Sequence, residues 1–160
     1  MYFYILSVEF RGIVQKRFRW GRGAVTENEI ATIVVDACFQ IHKRLGPGLL
    51  ESVYETVLEH ELKRRGLHVS RQTSIPIRYR DIHFDEGFRA DLIVEDKVIL
   101  ELKSVESTAP VHRKQVLTYL KLTDLKLGLL INFGSRLIKD GITRLVNRLE
   151  ETATNPDFPL

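Results

Sequence analysis

The 160 residues are 44% hydrophobic and carry a formal charge of +3, enough apolar material for one core and too little chain for two comfortable ones. The single cysteine, Cys38, excludes an intrachain disulfide, and with no Cys or His cluster around it a zinc site has no basis. Arg11, Lys16, Arg17, Arg19 and Arg22 stand against Glu9 at the start of the chain, so the positive excess lies there, and charge alone does not argue for a nucleic-acid partner.

Met1 to Val8 is apolar but is followed by Glu9 and Arg11, too short for a membrane span, which needs about 20 apolar residues. It also lacks the basic start of a signal peptide, so a cytoplasmic address is expected, with no membrane partner. Residues 1–25 form an N-terminal extension in which basic residues interleave with Phe10, Phe18 and Trp20. Such a block either grips single-stranded nucleic acid or serves as a loose extension or added edge strand.

Thr26-Glu27-Asn28-Glu29 has the form of a capping box, and Ile30, Ile33, Val34, Ala37, Ile41 and Leu45 follow at helical spacing. Gly46-Pro47-Gly48 ends this helix. A second is expected from about Leu49 to Arg65, stopped by Gly66. On its wheel Glu51 projects inside the edge of an apolar stripe that includes Tyr54, Leu58 and Leu62, whereas Glu55 falls on the border, where Arg64 or Arg65 could pair with it. Glu51 is therefore the helical acid with the strongest claim to a functional role. Glu59 reads as a surface partner.

Leu67 to Arg80 alternates as a strand, with Pro76 marking an edge or bulge, and Asp81 turns the chain. Then come two apolar runs, Ala90 to Val94 and Val98 to Lys103, around the polar Glu95-Asp96-Lys97. If those three form the loop, Val94 faces Val98 and the register places Asp91 opposite Glu101, with Cβ atoms roughly 4.5–5.5 Å apart. Lys103 shares the face of Glu101, while Leu100 and Leu102 point into a core.

Two carboxylates so close need a cation or proton between them, and hard oxygen donors suit Mg²⁺ or Mn²⁺. Lys103 is placed to orient a water or to steady charge on a phosphate. The acid-x-Lys spacing itself is unspecific, since it recurs at Glu61/Lys63, Glu95/Lys97 and Asp124/Lys126. Only the strand setting singles out Glu101/Lys103, and a solvated charged strand face is the competing reading.

After a polar link, Pro110 opens a helix through Leu122 on which Gln115 and Tyr119 are one turn apart, the spacing of a half-buried pair packed on a sheet. Leu127 to Phe133 reads as a strand buried on both faces, at the centre of the sheet. Ile142 to Val146 reads as a last strand, and residues 149–160 as a tail. The order predicts an α/β sandwich of three layers, a central mixed β-sheet flanked by helices, with the helix from Pro110 as the crossover.

From Gly48-Leu-Leu-Glu51-Ser-Val-Tyr54, through Asp91 and Glu101-Leu-Lys103, to Gly128-Leu-Leu-Ile-Asn-Phe133-Gly134, the chain resembles the GxxExxY family of the PD-(D/E)xK nuclease-like superfamily. The resemblance covers residues 26–148 as one domain and implies a restriction-endonuclease-like αβββαβ core. It implies that Asp91 and Glu101 bind Mg²⁺ or Mn²⁺, with Glu51 as a third acid acting directly or through water and Lys103 beside the nucleophile. Gln115 and Tyr119 are similar to a QxxxY helix motif that contacts nucleic acid. Arg89-Ala90 stands before Asp91 where proline is often found. The expected function is metal-dependent hydrolysis of DNA, less so RNA. The alternative is an inactive binding or assembly module on the same fold. The oligomeric state is left open, with a homodimer compatible.

Overall fold

A computed structural model describes residues 25–149. The N-terminal extension, whether a nucleic-acid grip or a loose or edge-strand segment, and the C-terminal tail lie outside the described residues, apart from their innermost positions. Helix α1, Glu27–Leu45, starts at the expected box: Thr26 Oγ1 accepts from the Glu29 amide at 3.3 Å, and Glu29 Oε2 accepts from the Thr26 amide at 2.9 Å. Gly46 and Gly48, at φ of 69° and 101°, turn the chain through a region that side chains disfavour. Helix α2 follows as Glu51–Arg64.

Strands β1 (Val69–Tyr79), β2 (Ile82–Val94) and β3 (Val98–Lys103) form an antiparallel meander, with the register of β1 on β2 shifting between Ile75 and Ile77, around Pro76. Helix α3, Pro110–Thr123, then crosses over so that β4, Leu127–Asn132, runs parallel to β3. A short α4, Ile138–Gly141, leads into β5, Ile142–Val146, antiparallel to β4. The sheet order is β1-β2-β3-β4-β5.

Two expectations need correction. The middle strand is β3, not β4: β5 covers the far side of β4, and two strands lie on the other side of β3. Strand β2 also begins at Ile82 rather than near Ala90, pairing with β1 through Ile77↔Phe84 and Tyr79↔Ile82. This makes a long arm whose Tyr79, Ile82 and Phe84 are exposed.

Alternation along the strands builds two cores. Leu92, Val98, Leu100, Leu102, Leu129 and Ile131 pack with α1 and α2, whereas Ile93, Ile99 and Leu130 pack with Val116, Tyr119 and Leu120 of α3. Each such fully buried aliphatic side chain contributes roughly 1.5–3 kcal/mol. Helices thus cover both faces of the sheet, and the polar residues of interest gather where β3 ends. Among the described residues no helix is long and apolar enough to cross a membrane.

Candidate active site

The hairpin register is as expected at Val94↔Val98 and continues to Leu92↔Leu100, but backbone pairing stops one step short of Asp91 and Glu101. The reason is chemical: the Asp91 side chain takes over the ladder, its Oδ2 accepting the Leu102 amide at 2.8 Å. Burial pushes the Asp91 carboxyl above its ordinary pKa, with the Leu102 hydrogen bond and Lys103 opposing.

Glu101 lies deeper, only 3% exposed. Its Oε1 accepts from Lys103 Nζ at 2.8 Å, and its Oε2 is buried with no hydrogen-bond partner. Burial first, and the nearby Asp91 second, push its pKa up to about 7 in spite of Lys103. Burial works against the charge on Lys103, yet the hydrogen bond to Glu101 and the surrounding carboxylates outweigh it and hold the ammonium pKa above its usual value. Lys103 also lies 3.8 Å from Glu51 Oε1, whose side chain is 43% exposed. Asp91, Glu101, Lys103 and Glu51 therefore share one end of the fold, with Glu51 on the solvent side.

The helical acid that sequence reasoning underrated is Glu55. It is buried, and its partner is neither Arg64 nor Arg65: Arg71 Nε donates to Oε1 at 2.6 Å and Gln72 Nε2 to the same oxygen at 2.8 Å. Arg64 and Arg65 instead bind Glu61, and Arg65 also reaches Asp36 of α1 at 2.6 Å. The helical wheel misplaced these pairings because the decisive cation comes from β1, beyond the helix. Glu59 pairs with Lys63 at 2.7 Å, as expected of a surface residue.

Tyr54 explains how α2 is presented. Its hydroxyl donates to Gly46 O at 2.6 Å and accepts the Leu49 amide at 3.2 Å, while its ring stacks on Phe133 at 4.4 Å. The turn before Glu51 is thereby tied to the end of β4. On the far side Asn132, level with Lys103 in the parallel register, accepts from the Val105 and Gly134 amides and donates to Val105 O. A Cβ on Gly134 would stand 2.2 Å from Val105 O, so only glycine permits this approach. A polar cleft of about 220 Å³ between Glu106, Asn132, Asp140 and Thr143 does not include Glu51, Asp91 or Glu101.

Gln115 and Tyr119 do form a pair, the Gln115 amide donating to the Tyr119 hydroxyl. Tyr119 is buried and stacks on Phe88, its ring 3.6 Å from the phenyl centroid. Burial raises the phenol pKa against the opposing Gln115 hydrogen bond, with a smaller upward push from the Glu101 charge.

Among the described residues, no three His, Cys, Asp or Glu side chains cluster to hold a metal ion. The donor set nevertheless fits a hard divalent cation: the buried Glu101 Oε2 has no hydrogen-bond partner although Lys103 holds Oε1, and the Asp91 charge acts on the same carboxylate. Mg²⁺ commonly takes one or two carboxylates and fills its remaining positions with water and phosphate oxygens.

The family description "PD-(D/E)XK nuclease superfamily" matches residues 28–145. Comparison with curated proteins and with solved structures gave no match.

Proposed function

Because the chain belongs to the PD-(D/E)XK nuclease superfamily, whose nucleases generally use divalent metal ions, we propose that it hydrolyses phosphodiester bonds of DNA, with RNA the lesser substrate, using Mg²⁺ or Mn²⁺. Within the superfamily, Gly48, Glu51 and Tyr54 support the GxxExxY branch, and residues 26–148 are read as the nuclease domain. The observation that carries the proposal is the buried, partnerless Glu101 Oε2 beside Asp91.

In this reading Asp91 and Glu101 hold the cation. When bound, it polarises water and phosphoryl oxygens and offsets the charge that develops on the phosphate. Lys103, already on Glu101 at 2.8 Å, turns its remaining N–H groups toward the attacking water and the phosphate. Glu51, half open to solvent, acts as the third acid through water and keeps Lys103 charged. Gln115 and Tyr119, paired on α3, are the residues that contact the nucleic acid in this reading. A cytoplasmic location accords with a free, buried Cys38.

An inactive module on this fold would close its acid–lysine network with every buried oxygen satisfied. The orphaned Glu101 oxygen favours the enzyme. The test is cleavage of linear, circular and single-stranded DNA and of RNA with and without Mn²⁺. Activity that requires Mn²⁺ and is lost in Asp91→Ala and Glu101→Ala is expected; ion binding and cleavage at wild-type level in both variants would refute the assignment.

A further inference from the structure

Gln72 breaks the rule of its strand. Consecutive strand side chains point to opposite faces, yet Arg71 and Gln72 both reach the same Glu55 oxygen, at 2.6 and 2.8 Å. The backbone explains how: Gln72 has a φ of 50°, in the left-handed region that a residue with a Cβ avoids. Here too the β1–β2 pairing skips from Arg71↔Leu92 to Thr73↔Ala90, and the residue that Gln72 would have faced is Asp91. A longer 3.4 Å contact runs from Gln72 Nε2 to Asp91 Oδ1, while Asp91 Oδ2 is held by the Leu102 amide. The Asp91 carboxylate is thus gripped at both oxygens. Strain of this kind persists where the surroundings over-determine it, and it concentrates at functional sites.

We propose that Gln72 is a positioning residue whose left-handed backbone carries its amide to a bridge between the buried Glu55, which Arg71 pairs from the surface, and Asp91, fixing the direction in which Asp91 presents its free lone pairs to a divalent cation. This rests on reading Asp91 and Glu101 as the cation site. Partners of metal-ligating carboxylates act in this way, and losing one typically weakens the ion by roughly 10- to 100-fold.

Three variants separate the amide from the backbone. Asn tolerates the left-handed region better than Gln and Gly adopts it freely, so Gln72→Asn shortens the amide and Gln72→Gly deletes it while both relieve the backbone; Gln72→Ala deletes it and keeps the strain. Gln72→Asn and Gln72→Gly are expected to melt at or above the wild-type temperature yet to bind Mn²⁺ roughly 10-fold or more weakly by calorimetry. Gln72→Ala should lose the same affinity with a lower melting temperature. On DNA, kcat should fall with KM unchanged. A purely structural Gln72 gives the reverse, lower melting temperatures with wild-type Mn²⁺ affinity, and that result overturns the proposal. Wild-type protein that binds Mn²⁺ and cuts DNA alongside variants equal to it sinks the role of Gln72 alone. Wild-type protein that takes up no Mn²⁺ sinks the cation site and the role of Gln72 with it.

Discussion

Glu101 is uncomfortable in either protonation state: ionised, it lacks a partner for Oε2, and protonated, it gives up charge beside Lys103. Its pKa of about 7 in the fold, against an ordinary 4.5, fixes the sign of a pH effect. Between those values the folded chain keeps a proton that the unfolded chain has released, so the stability of the metal-free protein should fall as pH rises through this window and level off above it. The bound on this effect is on the order of 3 kcal/mol. Urea unfolding at pH 5 and pH 8 measures it, and Glu101→Gln should flatten the profile. Conversely, Mn²⁺ affinity should climb as pH approaches 7, with proton release on binding below that point, which calorimetry in buffers of different ionisation enthalpy detects. Asp91, Glu101 and Lys103 were legible in the sequence because a three-residue loop fixes the register around them. Glu55 and Gln72 were not: the Arg71 partner lies 16 residues on, and a glutamine gives no sign of a left-handed backbone.

Helix α3 reaches the sheet over Gly128, where a Cβ would stand 2.6 Å from Val116 Cγ1. Gly128→Ala should therefore lift α3, cost about 1–3 kcal/mol and displace Gln115 and Tyr119, so thermal unfolding drops and DNA affinity falls while Mn²⁺ affinity holds. Tyr54→Phe keeps the stack on Phe133 but strands Gly46 O and the Leu49 amide; a loss of about 1–2 kcal/mol in urea unfolding is expected, with a looser Glu51. The elements with strong local signals were readable, such as α1 from its Thr26/Glu29 box and the irregularity in β1 from Pro76. The outer part of β2 was not, because Ile82 to Gly87 is exposed and owes its extension to pairing with β1. Helix α4, four residues long, is below the length at which periodicity speaks.

For the whole molecule, the β1–β2 arm and the packed body divide the labour of stability unequally. Tyr79 and Phe84 are 60% and 51% exposed at the arm, so replacing either with Ser should move the unfolding free energy by no more than about 0.5 kcal/mol, as chemical denaturation would show. The body owes its order to β3, whose neighbours differ in kind: β2 arrives through a tight hairpin, β4 only after α3 has crossed over. That asymmetry has a consequence for a chain leaving the ribosome. By the time Lys103 has been made, Glu51, Glu55, Asp91 and Glu101 have all been delivered, and the bond from Asp91 to Leu102 spans only 11 residues. Leu130, which faces Glu101 across the parallel β3–β4 register, and the α3 helix are synthesised afterwards. The acids of the site come early; the strand that flanks Glu101 on its other side is added only by the C-terminal part of the chain.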